Sequence, residues 1–110
     1  GGHRKKARLL IKQKGFQPLF ERREVKKMFK EILTEKLAEN VARNMLAKRK
    51  EKDWSQAEAA EACELSDRYY GEIERRHANP TLGALAGICI GFEMTLEELV
   101  ANPIEEGSAC

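Results

Sequence analysis

The sequence predicts an all-α protein, and three observations favour this fold class. Charged residues make up 35% of the 110-residue chain, whereas aromatic residues make up only 6% and there are three prolines. Apolar residues recur at intervals of three and four over much of the chain, which is the period of one helix face. Residues 55–58 (SQAE) and 95–98 (TLEE) have the capping-box pattern that starts a helix.

The N-terminal third is predicted to contain an arm and one helix. Residues 1–17 show no clear period and are interrupted by Gly15, so they are expected to form a flexible basic arm, of which residues 1–3 are a remnant of an expression tag. Residues 18–34 have helical spacing of apolar side chains among Lys and Arg, which predicts an amphipathic helix. This helix either runs directly into the next one or breaks near Thr34.

Residues 35–101 are predicted to form one compact helical domain. Its first helix covers about 35–51 and places Leu37, Val41 and Met45 on one face. Hydroxyl residues predict the starts of four further helices, because a Ser or Thr side chain accepts a hydrogen bond from a free backbone N–H of the first turn. These caps are Ser55, Ser66, Thr81 and Thr95, and the helices span about 56–62, 67–74, 82–90 and 96–100. Residues 102–110 are expected to be a flexible tail.

The core of this domain is predicted from the helical period. Trp54 is the best single candidate for an anchor, since it is the one Trp in the chain. Tyr70 and Ile73 lie three apart and are expected to point inward together, and Leu82 belongs to the apolar positions of the 82–90 helix. The three cysteines are odd in number and far apart, so neither a disulfide framework nor a metal site is predicted.

Charge is distributed unevenly along the chain. Residues 4–30 hold eleven Lys or Arg against two Glu, a net of +9, and the whole chain carries +2, so the remainder carries −7. This asymmetry is typical of a basic segment that meets a polyanion, although a solvated leader is the alternative interpretation.

The order of residues from Met45 to Ala101 resembles the phage repressor and Cro (XRE) family of helix-turn-helix domains. The shared landmarks are Gln56, Ala60, Leu65-Ser66, Ile73-Glu74, Asn79-Pro80, Leu85 and Leu96-Glu97-Glu98-Leu99. The resemblance implies a five-helix repressor-like bundle, here preceded by the basic arm and an extra amphipathic helix. The family often has glycine where Glu64 and Arg76 stand, so the geometry of these two turns is open.

The resemblance also implies how the domain meets DNA. The helix at 67–74 would be the recognition helix in the major groove. With Tyr70 and Ile73 inward, helical rotation places Asp67, Arg68, Gly71 and Glu72 outward as candidate base-reading residues, and Gly71 would let the backbone approach the DNA closely. The alternative is that Arg68 and Glu72 only satisfy one another as an i,i+4 pair.

Phosphate contacts and one structural ion pair follow from the same resemblance. The candidate phosphate-contacting residues are Gln56, Arg75, Arg76 and Asn79, for which a solvated loop is the alternative. Glu74 is expected to pair with Arg49 and hold the motif to the bundle.

The expected function is a sequence-specific double-stranded DNA-binding transcriptional regulator, a repressor, acting as a homodimer in the cytoplasm of a prokaryotic cell or phage-infected host. No arrangement of catalytic residues is visible, so neither an enzyme nor a cofactor is predicted, and no membrane segment is expected. The alternative is a protein-interaction adaptor or antitoxin on the same bundle, with residues 19–33 as the segment that contacts a protein partner. This alternative is favoured by Asp67, by Glu72 and by the net charge of −7 on the residues outside 4–30, because negative charge weakens attraction to phosphate.

Overall fold

The computed structural model describes residues 22–103, and all of its regular structure there is helical. The helices are α1 (Arg23–Glu51), α2 (Gln56–Ala62), α3 (Asp67–Glu74), α4 (Leu82–Phe92) and α5 (Leu96–Val100). The predicted fold class is confirmed. Residues 1–21 and 104–110 lie outside the described residues, and with them the predicted arm, the first four residues of the predicted 18–34 helix and most of the predicted tail.

Helix α1 is continuous over 29 residues. The hydroxyl of Thr34 donates to the carbonyl oxygen of Lys30 at 2.7 Å, which is a bond inside a helix and not a cap. The alternative of a break near Thr34 was therefore wrong, and the extra helix and the first helix of the bundle are one element. The chain also divides between Thr34 and Glu35 into two compact units.

The four predicted caps are confirmed. The side-chain oxygens of Ser55, Ser66, Thr81 and Thr95 each accept from the backbone N–H three residues on, at 3.0–3.1 Å. Both capping boxes are complete, because Glu58 and Glu98 also accept from the backbone N–H of their cap residue. These bonds occupy donors at each helix start that the helix itself leaves unpaired.

The first four helices end in the same way, without glycine. Asp53, Glu64, Arg76 and Glu93 have left-handed φ angles of 55–65°. After α2, the N–H of Leu65 donates to the Ala60 carbonyl at 2.9 Å and that of Glu64 to the Glu61 carbonyl at 3.1 Å, which is the Schellman pattern. Glu64 and Arg76 therefore adopt the backbone geometry that glycine takes in the family.

The core lies between the helices of the 35–103 unit. Tyr70 and Ile73 are fully buried, as predicted, together with Met45, Ile88, Phe92 and Leu99. Trp54 is only partly buried and stacks on Phe92 at 5.8 Å between ring centroids, so it covers the core and Tyr70 and Phe92 fill it. The predicted inward positions of Leu37 and Leu82 were wrong, since both side chains are exposed. Leu82 occupies the first turn of α4 on the face opposite Ala84 and Ile88.

Helices α2 and α4 approach closely through two glycines on α4. A Cβ on Gly87 would lie 2.5 Å from the Cys63 carbonyl oxygen, and one on Gly91 would lie 2.7 Å from the Ala62 carbonyl oxygen. Any side chain there would meet backbone, so these positions fix the spacing of the two helices. Ala59 and Ala60 on α2 are fully buried.

Asparagines of α1 bind the end of α5. The Asn44 amide donates to the carbonyl oxygens of Leu99 and Ala101 at 2.8 and 2.9 Å, and the Asn40 amide donates to that of Val100 at 3.0 Å. Carbonyls at a helix C-terminus have no partner within the helix, so these bonds secure the last helix of the unit.

Candidate nucleic-acid interface

Helices α2 and α3 form a helix-turn-helix unit joined by residues 63–66. Helix α3 starts at the Ser66 cap and buries Tyr70 and Ile73 on its inner face. The opposite side carries Asp67 and Arg68, both exposed, with Glu72 half-buried beside them. The inner face thus fixes which polar side chains of α3 are presented to solvent.

Arg68 carries a charged side chain on this face that is almost fully exposed. Its side chain is 91% accessible, and its Nε donates to Glu72 Oε1 at 3.1 Å. An exposed i,i+4 pair is worth only a few tenths of a kcal/mol (about 0.2–0.5). The Arg68 guanidinium can therefore change partner at little cost.

Gly71 lies on the same face of α3 as Arg75, as helical rotation predicts, but it is not open to solvent. The residue is buried, and the guanidinium of Arg75 and the amide oxygen of Gln56 lie over it. Only the expected exposure of Gly71 was wrong, and the reason is physical. A glycine has no side chain to keep neighbours away, so two long side chains from positions 56 and 75 cover it.

Glu74 is the centre of a polar network that joins three elements. Arg49 Nε and Nη2 donate to its two carboxylate oxygens at 3.0 and 2.8 Å, and Gln56 Nε2 donates to Oε1 at 3.0 Å. The Arg49 Nη1 donates to the Trp54 carbonyl oxygen at 3.0 Å. Arg49 lies on α1, Gln56 on α2 and Glu74 on α3, so the network sets the relative positions of these helices.

The electrostatics of the network follow from its hydrogen bonds. Burial acts to raise the pKa of Glu74, but the hydrogen bonds from Arg49 and Gln56 outweigh it and the pKa is lowered. The hydrogen bond to Glu74 raises the pKa of Arg49. Burial, with the neighbouring Glu74 carboxylate, also raises the pKa of Tyr70. Both members of the Arg49–Glu74 pair are therefore ionised at neutral pH.

The candidate phosphate-contacting residues flank α3. Gln56 is half-buried at the start of α2, while Arg75, Arg76 and Asn79 are exposed in the segment after α3. The sequence indicated these four positions but not that the Gln56 amide is bonded to Glu74. Only one end of that amide, the oxygen, lies toward Gly71.

Two features were missed by sequence reasoning. The Tyr69 hydroxyl accepts from the Thr81 N–H at 3.2 Å and so ties α3 to the start of α4. On α4 and α5, Leu82, Ile90 and Leu96 are exposed beside a groove of about 440 Å³ that is lined almost entirely by apolar side chains. The helical period of α4 carried no signal for this, because every residue of the helix is uncharged.

The described residues lack the features of several other kinds of site. Within residues 22–103, no three or more His, Cys, Asp or Glu side chains are grouped so that they could hold a metal ion. No helix in that range is long and apolar enough to cross a membrane. Burial raises the pKa of the Cys63 thiol to about 11, and burial also raises that of Cys89, so neither is a ready nucleophile.

Comparison with known proteins agrees with this geometry. Residues 45–99, half of the chain, match the model of a helix-turn-helix family. The chain belongs to this family of DNA-binding domains, of the repressor (XRE) type. The fold is similar to the crystal structure of the hypothetical transcription factor NHTF from Neisseria, with a TM-score of 0.58 and 30% identity over 61% of this chain and 77% of that one. No curated protein matches the sequence.

Proposed function

We propose that the protein is a transcriptional regulator, a repressor, that binds double-stranded DNA at specific sequences with α3 in the major groove. Its family supports DNA binding, and its structural neighbour from Neisseria is a hypothetical transcription factor. Both support the class of function. The exposed polar residues of α3 support the recognition of particular bases.

The observation that carries the proposal is the exposed guanidinium of Arg68 in the first turn of α3. Recognition helices place their N-terminal residues against base edges. An arginine there donates two hydrogen bonds to guanine O6 and N7, and the weak pair with Glu72 does not compete strongly. Asp67 and Glu72 stand beside it, and each carboxylate accepts from a cytosine N4 in the proposed complex.

The flanking residues supply phosphate contacts in this proposal. Arg75, Arg76 and Asn79 are exposed directly after α3, where they meet the DNA backbone, and Gln56 lies at the start of α2. Such contacts carry no base information but give most of the salt-dependent affinity. The acidic residues of α3 reduce non-specific attraction to phosphate. Binding therefore depends more on the contacts between α3 and the correct bases.

We also propose that the protein acts as a homodimer, with α4 of one copy against α4 of the second. The side chains of Leu82 and Ile90 are 84% and 75% exposed and stand on one face, with the small Ala86 between them at i+4. In an antiparallel pair about a twofold axis, Leu82 meets the partner's Ile90 while Ala86 lies on the axis and allows close approach. Helix α4 has no charge to repel a second copy. The acidic Glu93 and Glu97 follow it as part of the polar rim that interfaces have.

Selection of duplexes from a random pool at about physiological salt tests DNA binding directly. An enriched palindrome is expected, with half-sites roughly one helical turn apart. If no duplex is bound about tenfold better than a scrambled one, sequence-specific regulation is excluded, and the adaptor or antitoxin on the same bundle becomes the better hypothesis.

Arg68→Ala identifies the reading residue. We expect affinity for the selected duplex to fall by about 1–3 kcal/mol, with preference lost at one base position. Arg43→Ala is the matched control, because Arg43 makes an i,i+4 pair of the same kind with Glu39 at 3.6 Å and the charge change is identical. The role of Arg68 is refuted if both variants lower affinity equally and leave the selected sequence unchanged.

Sedimentation equilibrium tests the dimer and its surface. Ile90→Glu should shift the protein to monomer, because a carboxylate would be buried against the leucine at position 82 of the second copy. Ile32→Glu on α1 is the control for the other exposed apolar segment, where Ile32 is 56% exposed. If Ile32→Glu dissociates the dimer and Ile90→Glu does not, the interface lies on α1 and not on α4. A monomeric wild-type protein would refute the homodimer.

A further inference from the structure

The guanidinium of Arg75 lies back over its own helix, on the space left by Gly71. A Cβ at position 71 would lie 2.8 Å from Arg75 Nη1 and 3.3 Å from Nη2. The first distance is closer than a methyl group and a nitrogen can approach. The present position of the guanidinium therefore requires that residue 71 has no side chain.

Gln56 also limits this space. Its Oε1 is 3.3 Å from the Cβ position of residue 71, and its Nε2 donates to Glu74 Oε1 at 3.0 Å. Glu74 is itself held by two hydrogen bonds from Arg49. Because the amide cannot rotate without losing its bond to Glu74, its oxygen stays close to the Cβ position of residue 71.

Glycine is otherwise a poor choice at this position. Residue 71 lies in the middle of α3, where glycine is the weakest helix former after proline. Its φ is not in the left-handed region, so the backbone itself does not need glycine. The space above the helix is the remaining structural reason for it.

We infer that Gly71 is a positioning residue for Arg75. It allows the planar guanidinium to lie on α3 beside Gln56 Oε1, so that the donors on its outer edge are set before DNA arrives and bind one phosphodiester of the backbone. A planar fork held in advance loses less conformational entropy on binding a phosphate than a free side chain does. This inference rests on the proposed function, and it assigns to Gly71 a role different from direct approach to the bases.

Gly71→Ala separates this role from folding. The atom that the new methyl group would overlap, at 2.8 Å, is the tip of the flexible Arg75 side chain, so the helix is kept and Arg75 moves away. The Gln56 Oε1 atom, at 3.3 Å, needs to shift by only a few tenths of an ångström and can keep its amide bonded to Glu74. We expect the midpoint of thermal unfolding to stay the same or rise, since alanine is the better helix former. Affinity for DNA should fall about tenfold, which is the loss of one charge-assisted hydrogen-bonded contact. The slope of log affinity against log salt should decrease by about one phosphate.

Two further variants complete the test. In an Arg75→Ala background, Gly71→Ala should have no additional effect on affinity, because the side chain that it positions is absent. Gly83→Ala is the control for a helical glycine with space around it, since its nearest neighbour is 3.8 Å away. Because Gly83 lies on the face of α4 proposed for the dimer, the two glycine variants are compared on a duplex with a single half-site, where Gly83→Ala should leave affinity unchanged. The selected duplex and a scrambled one of the same length should be weakened by the same factor, as a phosphate contact requires.

The possible contrary results are distinct. If the wild-type protein binds a selected duplex and Gly71→Ala binds it equally well with the same salt slope, the positioning role is refuted and the proposed function stands. If Gly71→Ala weakens binding by the same factor with and without Arg75, the methyl group clashes with DNA directly and the inference is also wrong. If the wild-type protein binds no duplex, the proposed function fails and this inference fails with it.

Discussion

The guanidinium of Arg49 on α1 donates from Nε and Nη2 to the two carboxylate oxygens of Glu74 on α3, at 3.0 and 2.8 Å. The side chains are only 17% and 6% exposed, so the pair is shielded from water. A two-bond fork of this kind fixes orientation as well as distance. It sets the position of the helix that carries Arg68.

Removal of one member of this pair should destabilise the fold strongly. Glu74→Ala leaves the Arg49 guanidinium and the Gln56 amide without their acceptor, and we expect the free energy of unfolding to fall by about 3 kcal/mol. Glu51→Ala is the control, because Glu51 makes an exposed pair with Lys48 at 3.7 Å and should change stability by less than about 0.5 kcal/mol. Denaturant titration of both variants measures the difference. Equal losses would show that the network contributes no more than a surface pair.

The same carboxylate should give the protein part of its acid sensitivity. The pKa of Glu74 is lowered below its ordinary value of 4.5, so its contribution to stability is complete above that pH and is lost as the pH falls through the folded-state pKa. Glu74→Gln should therefore be less stable than wild type at pH 7, and the gap should narrow below about pH 4.5. Thermal unfolding across the range from neutral to acid pH measures this, with Glu51→Gln as the control for loss of one carboxylate. A gap that is constant with pH would contradict the assignment.

The close contact of α2 and α4 predicts opposite effects for two identical substitutions in one helix. Gly87→Ala places a methyl group 2.5 Å from the Cys63 carbonyl oxygen, and the helices must separate, so we expect a loss of about 1–3 kcal/mol or more. Gly83→Ala meets nothing closer than 3.8 Å and should stabilise by up to about 1 kcal/mol through helix propensity. Denaturant midpoints give both values. A stabilising Gly87→Ala would mean that the two helices can move apart freely.

The left-handed residue after α2 is a position where glycine should improve the protein. Glu64 has φ 57°, a conformation that costs a residue with a side chain roughly 1–2 kcal/mol. Glycine removes this cost, but its greater freedom in the unfolded chain offsets part of the benefit. Glu64→Gly should therefore stabilise the protein by roughly 0.5–1 kcal/mol. Glu61→Gly, inside α2, should destabilise by about 1 kcal/mol and is the matched control. Destabilisation by both would show that the Glu64 side chain itself contributes to the turn.

The starts of the helices could be predicted from the sequence because their cause is local. Ser66 and Thr81 bond to N–H groups three residues away, so four consecutive letters carry the whole interaction. The ends of the helices were harder to predict. Glu64 and Arg76 adopt a left-handed backbone that their residue type does not indicate, and the hydrogen bonds that close these two turns join backbone groups, which are the same in every residue type.

In the candidate site, too, features with a local cause could be predicted and features that depend on distant residues could not. The inward positions of Tyr70 and Ile73 followed from helical spacing alone, and with them the exposure of Arg68. Helical rotation placed Gly71 outward as well, but it cannot account for side chains that fold back over a helix. The cover over Gly71 comes from Gln56, fifteen positions earlier, and from Arg75.

Gly87 and Gly91 also have a genetic consequence. Each missense change in a glycine codon introduces a residue with a Cβ, and at both positions that atom would collide with the backbone at the end of α2. Neither codon therefore offers a neutral change of amino acid, and only synonymous changes are tolerated. In a library of single-nucleotide variants selected for folding, the amino acids at positions 87 and 91 should stay glycine while Gly83, one helical turn before the first of them, is replaced.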